Sequence, residues 1–224
     1  GWLDDPSEHV RRLVSEGTRP LLPWGQQLPM FRADPAPVLA LLEKLRDDPS
    51  PYVRRSVANN LNDIAKDHPD LVVQTAQAWW REASTERQSL VRHGLRTLVK
   101  RGDGRALQVL GFTTKPRVAV ELSLSASSLV IGESIGLKLR LHSKARQTQK
   151  LVVDYAVHHQ RSGGKVSAKV FKWKNIDLAA GAEVRLQKKH AFIPRSVRRL
   201  YPGEHRVDVL VGGQVLASAC FVLM

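Results

Sequence analysis

The 224-residue chain carries 35 lysines and arginines against 21 aspartates and glutamates, a formal net charge of +14 at pH 7. A single cysteine, Cys220, excludes a disulfide framework and a cysteine-ligated zinc site. The longest apolar runs are far shorter than the ~20 residues of a membrane-spanning helix, and the charge favours a polyanionic partner.

The first half of the chain has the pattern of an all-α domain. Up to residue 112, apolar residues recur at helical spacing, and turns rich in proline, glycine, aspartate and serine separate the runs. We therefore predict a helical domain over residues 1–112. Its helices are expected near residues 6–16, 35–46, 50–66, 70–82, 86–101 and 104–110.

An internal repeat lies within this helical half. The eleven residues Asp4–Val14 return 43 positions later as Asp47–Val57, with eight positions identical, and a degenerate third copy begins at Val91. Two-helix units with a period of about 40 residues are the signature of HEAT-like repeats, whose stacked helices line a concave surface. The sequence therefore predicts a HEAT-like repeat solenoid, although helix capping alone explains part of the repeat.

The first repeat helix separates its apolar and polar residues. Val10, Leu13 and Val14 form an apolar stripe, whereas Arg12 and Glu16 lie four residues apart on the face roughly opposite. We expect the stripe to enter the core and the charged pair to face the concave surface.

The second repeat helix presents an equivalent polar face at Arg55, Asn59 and Asp63. Stacking of the repeats is expected to put Arg12 beside Arg55, and Glu16 beside Asn59 with Asp63 one turn further. Ordinary ion pairs on solvated helices explain the same spacing and remain an alternative at this point.

The segment after Glu16 ends the first helix at Gly17 and reaches Trp24 through two prolines. A stiff loop that carries an aromatic ring close to a carboxylate is one way to build a site. A buried tryptophan that fills a gap between repeats is the alternative.

The second half of the chain has the pattern of an all-β domain. Apolar residues alternate with polar or small ones in Val118–Leu124, Leu137–Leu141 and Val207–Val211, and glycine turns separate the runs. Seven or eight strands over residues 117–224 predict an immunoglobulin-like β-sandwich. The predicted fold class is thus multi-domain, with an all-α solenoid followed by an all-β sandwich.

The positive charge is concentrated in this second half. Residues 113–224 hold 19 basic and 7 acidic residues, a net charge of +12, whereas residues 1–112 hold 16 and 14, a net charge of +2. Basic residues in the turns of a sandwich suit a nucleic-acid backbone, although a well-solvated surface explains them too. The candidate phosphate contacts are Arg161, Lys165, Arg195, Arg198 and Arg199.

Two segments of the helical half carry a family resemblance. VRRLVSEGTRPLLPW, which ends at Trp24, and DDPSPYVRRSVANNLNDIAKDHPDLV, which begins at Asp47, resemble the AlkC branch of the AlkC/AlkD alkylpurine DNA glycosylases. The resemblance covers residues 4–112, and that branch also carries a C-terminal immunoglobulin-like domain. Family members have further repeats before the position of Gly1, so residues 1–224 alone are expected to form an incomplete cleft, with the activity of such a fragment left open.

The resemblance implies roles for residues of the helical half. Glu16 matches the carboxylate beside the scissile nucleoside, Trp24 the aromatic that packs on the sugar of the damaged nucleotide, and Asp63 a second acidic residue of the cleft. Arg12 matches a supporting or phosphate-facing arginine. The other residues of this half that we expect to contact DNA are Arg19, Arg55, Asn59, Arg92 and His93.

The implied activity is that of a monofunctional DNA-repair glycosylase. It would hydrolyse the N-glycosidic bond of cationic N3-alkylated bases, 3-methyladenine and 3-methylcytosine, in duplex DNA without base flipping. A cationic base leaves readily, so the site needs negative charge near the sugar and a placed water rather than a strong acid. Whether Glu16 or Asp63 places that water stays open.

The implied partner is double-stranded DNA containing alkylated bases. No cofactor or metal is expected, and we expect a monomer without membrane contact, in the bacterial cytoplasm with the nucleoid. The alternative is a non-catalytic scaffold of HEAT repeats and a sandwich that binds nucleic acid or an acidic partner.

Overall fold

The structure is a computed structural model that describes residues 1–194 and 199–224. The chain divides into two compact units, Gly1–Leu110 and Gly111–Met224. The first unit is helical, and the second is built from strands and turns. No helix among the described residues is long and apolar enough to cross a membrane.

The helical unit begins with a 3-10 turn at Trp2–Asp4 and continues as α-helices. These are α1 (Glu8–Gly17), α2 (Pro29–Ala33), α3 (Ala36–Leu45), α4 (Pro51–Ile64), α5 (Pro69–Trp80), α6 (Thr85–Gly94), α7 (Arg96–Lys100) and α8 (Gly104–Val109).

Two details of the helical prediction are wrong. The short helix α2, which Pro29 opens, was not predicted. The single helix predicted over residues 86–101 is two helices, α6 and α7, with a break at Leu95. Gly94, at the end of α6, lets this corner approach α4, because a Cβ there would lie only 2.9 Å from Leu61 Cδ2.

Helices α1, α4 and α6 lie side by side. Contacts between α1 and α4 advance along both helices together, from Ser15 and Ser56 to Asn60, which donates to the carbonyl oxygen of Ser15 and to Thr18 Oγ1. The two helices therefore run parallel, as equivalent helices of successive repeats do.

The repeated sequence forms the same aspartate turn before each of the two helices. Asp5 Oδ1 accepts from the backbone nitrogen of Ser7 at 2.8 Å, and Asp48 Oδ1 accepts from that of Ser50 at 2.8 Å. Arg11 then joins the two repeats through a 2.7 Å ion pair with Asp48. The identity of the two copies therefore serves both the helix starts and the contact between repeats.

The solenoid core follows the predicted stripe in α4 but not throughout α1. Val53, Val57, Leu61 and Ile64 are buried, whereas Leu13 is 53% exposed. The expectation that Leu13 enters the core is therefore wrong, because α4 packs against the side of α1 that carries Ser15.

The strand unit contains eight strands in its described part, which agrees with the predicted seven or eight. These are β1 (Val118–Leu124), β2 (Ser128–Leu129), β3 (Ser134–Ser143), β4 (Gln149–Gln160), β5 (Val166–Leu178), β6 (Glu183–Ala191), β7 (Gly203–Val211) and β8 (Gln214–Leu223).

The strands form two sheets that pack on each other. One sheet has the order β1-β3-β6 and the other β2-β8-β7-β4-β5, with only the β2–β8 pair parallel within the described residues. Alternate residues of β3, from Ile135 to Leu141, enter the core, as period two requires. Gln160 donates to the carbonyl oxygen of Glu204 at 2.9 Å, so the β4–β5 turn and the start of β7 lie at one end of the sandwich.

Candidate active site

Arg19 joins the two carboxylates that the sequence singled out. Its Nη1 lies 2.7 Å from Glu16 Oε1, and its Nε lies 2.8 Å from Asp63 Oδ2. Glu16 ends the polar face of α1, Asp63 lies one turn beyond Asn59 on α4, and Arg19 follows the end of α1. Stacking of parallel helices thus brings together acidic residues 47 positions apart in sequence.

Glu16 is held by groups from both helices. Ser56 Oγ donates to its Oε2 at 2.8 Å, and an Arg12 Nη2 lies 3.4 Å from the same oxygen. Burial opposes the charged form, but the hydrogen bonds from Ser56 and Arg19 and the charges of Arg19 and Arg12 outweigh it. The pKa of Glu16 therefore lies below its ordinary value, and the carboxylate is ionised at neutral pH.

Asp63 is the more enclosed of the two acids. Its Oδ1 accepts from Lys66 Nζ at 2.8 Å and its Oδ2 from Arg19, so each oxygen already meets a protein cation. The Asp63 side chain is 3% exposed, whereas that of Glu16 is 19% exposed. Glu16 is thus the carboxylate that a ligand can reach, and Asp63 anchors the arginine behind it.

The environment of Arg19 differs from the predicted one. We expected Arg19 to contact DNA, but the residue is 7% exposed and donates to both carboxylates. A buried guanidinium with two carboxylate partners is not free to bind a phosphate, so this placement argues against the predicted role. Its chemistry is that of a positioning residue for Glu16 and Asp63.

The predicted neighbours across the repeats are partly wrong. Glu16 meets Ser56 rather than Asn59. Arg12 lies over the ring of Tyr52, 4.5 Å from its centroid, and pairs with Glu16. The difference arises because the side chains of α1 meet α4 about one turn closer to the start of α4 than stacking of the repeats predicted.

Asn59 belongs instead to a second cluster, toward α6 and α7. Its Oδ1 accepts from His93 Nε2 at 3.0 Å and from Arg96 Nη2 at 3.1 Å. Arg55 Nη1 lies 3.4 Å from the other ring nitrogen of His93. Arg92, the residue before His93 in α6, lies over the Trp80 ring, 5.0 Å from its centroid. Three of the predicted DNA contacts, Arg55, Asn59 and His93, therefore come together, next to an arginine that the sequence analysis missed.

Trp24 is fully exposed, so the alternative of a tryptophan buried between repeats is wrong. Its backbone adopts a left-handed conformation, with φ of 61°, which costs a residue with a Cβ roughly 1 kcal/mol or more. Gly25 follows it in a tight turn, in which a Cβ at Gly25 would lie 2.9 Å from Leu22 Cδ2. A large aromatic held outward in this way is available to a ligand.

Two of the candidate basic residues of the sandwich, Arg161 and Lys165, lie at the end of that unit where β4 turns into β5. Arg161 and Lys165 flank the β4–β5 turn, and Arg161 Nε donates to Ser167 Oγ at 2.7 Å. Arg199 is exposed and lies 5.5 Å from the Tyr201 ring. Arg195 and Arg198 lie outside the described residues.

Sequence reasoning missed Ser56, Lys66 and Arg96. The repeat carried a signal for Ser56, because the apolar Leu13 of the first copy aligns with this serine in the second. A polar residue in an apolar stripe indicates a buried hydrogen bond, which is what Ser56 makes to Glu16. Lys66 and Arg96 had no comparable signal, since Lys66 lies past the end of α4 and Arg96 meets Asn59 from a different helix.

Comparison with known proteins gives matches over both units. Residues 118–224 match the family described as "Uncharacterised protein YhaZ, C-terminal Ig-like domain", and residues 38–68 match the HEAT repeat. The YhaZ protein of Bacillus subtilis (strain 168) is 38% identical over 221 residues, which cover 98% of this chain and 61% of that protein. These matches confirm the predicted fold class.

A solved structure also matches over the whole chain. It is the alkylpurine DNA glycosylase AlkC of Pseudomonas fluorescens bound to DNA containing an abasic site analog, with a TM-score of 0.96 and 44% identity. The match covers 100% of this chain and 62% of that one. The chain thus spans less than two thirds of the length of both relatives, and the predicted resemblance is confirmed.

Proposed function

We propose that this chain is a DNA glycosylase of the AlkC-like type, in which HEAT repeats are followed by a C-terminal immunoglobulin-like domain. Its substrate is duplex DNA that carries a cationic N3-alkylated base, 3-methyladenine or 3-methylcytosine. The observation that carries the proposal is the ionised Glu16, held by Arg19 and Ser56 with part of its carboxylate accessible.

The chemistry requires negative charge rather than a strong acid. Alkylation at N3 makes the base a cation, so the C1′–N bond can break with its electron pair leaving on a base that becomes neutral. The sugar becomes an oxocarbenium-like cation, which the nearby Glu16 carboxylate stabilises. Water then forms the new bond to C1′, and Glu16 accepts the proton that the water loses.

Arg19 and Asp63 serve this carboxylate from behind. Arg19 fixes Glu16 Oε1 through a charge-assisted hydrogen bond, and Asp63 accepts a second hydrogen bond from Arg19 that holds the guanidinium in place. Because Asp63 is enclosed and binds two cations, we assign the water-placing role to Glu16. The outward Trp24 ring is proposed to pack on the sugar, where its π-face favours a cation.

Simple hydrolysis, without strand cleavage, is consistent with the ion pair of Lys66, a lysine that lies beside these acids. Lys66 forms an ion pair with Asp63, and an ammonium group in an ion pair is not a nucleophile for a Schiff base. The partly exposed carboxylate of Glu16 is consistent with attack on an unflipped nucleotide. We propose that a protein with such a substrate acts at the bacterial nucleoid.

The test is incubation of the full-length protein with duplex DNA that contains 3-methyladenine. Release of the free base, together with alkali-labile abasic sites and no cleavage before alkali, is the expected result. Borohydride should trap no protein–DNA adduct. A protein that binds the duplex well and releases no base would instead be the nucleic-acid scaffold.

A further inference from the structure

The segment that carries Trp24 leaves the end of α1 and returns to the helical unit through α2. We call residues 20–28 the Trp24 loop. The two ends of this loop meet, because the backbone nitrogen of Leu28 donates to the carbonyl oxygen of Pro20 at 3.1 Å. The loop is thus a closed excursion of the chain between α1 and α2.

The tip of the Trp24 loop has no core of its own. Residues 23–27 are all exposed, and Trp24 is fully so. A backbone hydrogen bond inside the tip joins the nitrogen of Gly25 to the carbonyl oxygen of Leu22 at 3.2 Å. A segment with few buried apolar contacts opens locally at a small cost in free energy. Contacts outside the tip must therefore fix where the Trp24 ring lies.

Arg32, in α2, ties the loop to the end of α4. Its Nε lies 2.8 Å from Asp67 Oδ2 and its Nη2 lies 3.1 Å from Asp67 Oδ1, which makes a two-pronged pair of hydrogen bonds. Its Nη1 donates to Oε1 of Gln27, in the loop, at 2.8 Å. One guanidinium group therefore connects the loop, α2 and a residue just past α4.

A second contact fixes the backbone of α2 at the same place. His68 Nε2 donates to the carbonyl oxygen of Arg32 at 2.6 Å, so this ring nitrogen carries a proton, since a carbonyl oxygen can only accept. The backbone nitrogens of Asp67 and His68 both donate to the carbonyl oxygen of Ile64, at 3.2 and 2.8 Å. The two partners of Arg32 therefore lie on a well-bonded corner between α4 and α5.

The ion pair between Arg32 and Asp67 is formed at neutral pH but stays close to solvent. The hydrogen bond from Arg32 and its charge outweigh burial and hold the pKa of Asp67 below its ordinary value. The Arg32 side chain is 40% exposed and that of Asp67 is 29% exposed. A pair this exposed adds little to the free energy of unfolding, so its effect is local and concerns where the loop lies.

The corner that holds the loop follows the helix that carries the second acid of the candidate site. Asp63 lies in the last turn of α4, four residues before Asp67, and is joined to Glu16 through Arg19. The loop begins at Pro20, directly after Arg19. The loop is therefore held at one end by α1 and at the other by the corner after α4, the two helices that carry the carboxylates.

We propose that Arg32, Asp67 and His68 form a latch that holds the Trp24 loop against the end of α4 and so positions the Trp24 ring for excision. The inference rests on the function proposed above, in which that ring packs on the sugar of the damaged nucleotide. The three latch residues are positioning residues, which act on the reaction through Trp24 rather than through contact with the substrate.

The first experiment measures amide hydrogen exchange in the full-length protein, by mass spectrometry of peptides that end on either side of Leu28, whose amide closes the loop. Arg32→Gln, Asp67→Asn and His68→Ala are the test variants. Arg105→Gln is the matched control, because Arg105 is also an exposed arginine that pairs with an aspartate 35 positions away. Exchange at Leu28 should become roughly fivefold faster in the test variants and stay at the parental rate in the control, with unfolding midpoints nearly unchanged throughout.

The second experiment is a double-variant cycle on single-turnover release of 3-methyladenine from duplex DNA. Arg32→Gln alone should slow release roughly fivefold, because a freed loop holds the ring in place for a smaller fraction of the time. Combined with Trp24→Ala, the same substitution should slow release no further, since the ring that the latch positions is gone. Arg105→Gln should release the base at the parental rate.

Two results would overturn the proposal. Parental exchange at Leu28 in the test variants would show that these residues do not hold the loop. Equal slowing by Arg32→Gln in the parent and in Trp24→Ala would show that Arg32 does not act through the ring.

Failure of the proposed function would look different. A parent that releases no base loses the glycosylase function and the positioning role together, but the exchange rates, which need no DNA, still decide whether the latch holds the loop. A parent that releases the base while Arg32→Gln releases it equally fast keeps the function and loses the positioning role.

Discussion

Replacement of Arg19 by leucine should destabilise the helical unit by about 3 kcal/mol. The guanidinium is 7% exposed and makes hydrogen bonds of 2.7 and 2.8 Å to Glu16 and Asp63. Removing one partner of a buried ion pair costs about 3–5 kcal/mol. The lower end applies, because Lys66 still pairs with Asp63 and Arg12 with Glu16.

The assay is urea unfolding followed by circular dichroism at 222 nm, which reports the helices and therefore residues 1–110. Arg81→Leu, at an exposed arginine, should change the free energy of unfolding by less than about 0.5 kcal/mol. Adding Asp63→Asn to Arg19→Leu should recover part of the loss, since it removes a buried charge that has lost one of its two cationic partners. If Arg19→Leu unfolds within 0.5 kcal/mol of the parent, the described ion-pair cluster does not hold the two acids.

Three further outcomes follow from the same contacts. Ser56→Ala removes a hydrogen bond that keeps the pKa of Glu16 low, so the acidic limb of the excision-rate profile should move to higher pH, as measured by single-turnover rates between pH 4 and 8. The pKa of Glu16 is lower in the folded protein than its ordinary value of 4.5, so its charge stabilises the fold above pH 4.5. That stabilisation is lost as the pH falls through the lowered pKa. Glu16→Gln should therefore make the free energy of unfolding depend less on pH in the acid range. Trp24→Ala should leave the unfolding midpoint nearly unchanged, because the ring is exposed and the backbone left-handed, yet slow excision; equal excision rates would remove Trp24 from the site.

The local structure of the chain could be predicted wherever its residues follow a regular pattern. The eleven-residue repeat identified the stacked helices, since the same aspartate turns recur at Asp5 and Asp48. Period-two runs likewise identified the sandwich, because alternate residues of β3 enter its core. Both patterns follow from short-range geometry that any sequence of this kind must obey.

The candidate site could be predicted only in part. Glu16 and Asp63 come together through Arg19, as their predicted positions on neighbouring repeats suggested, but the predicted stacking put Glu16 beside Asn59, whereas the packing gives it Ser56. The stagger between two helices depends on how side chains interlock, which one helix alone does not reveal.

The partners of individual arginines could not be predicted from the sequence either. Arg19 and Arg55 look alike in sequence, yet one is buried between carboxylates and the other lines an open groove. Whether an arginine forms an ion pair within the protein or stays exposed to solvent depends on residues from other helices. Asp63, 44 positions after Arg19, decides the first case.

The most direct test of the proposed glycosylase compares single-turnover release of 3-methyladenine from duplex DNA by the parent and by Glu16→Gln. Glutamine keeps the shape and removes the charge, so the protein should stay folded at pH 7 and its affinity for undamaged duplex should barely change, while the rate falls roughly 10²–10³-fold. Glu82→Gln, at an exposed glutamate, should release the base at the parental rate. If Glu16→Gln also releases the base at the parental rate, Glu16 is not the carboxylate on which the chemistry depends, and the proposed catalytic role of Glu16 is wrong.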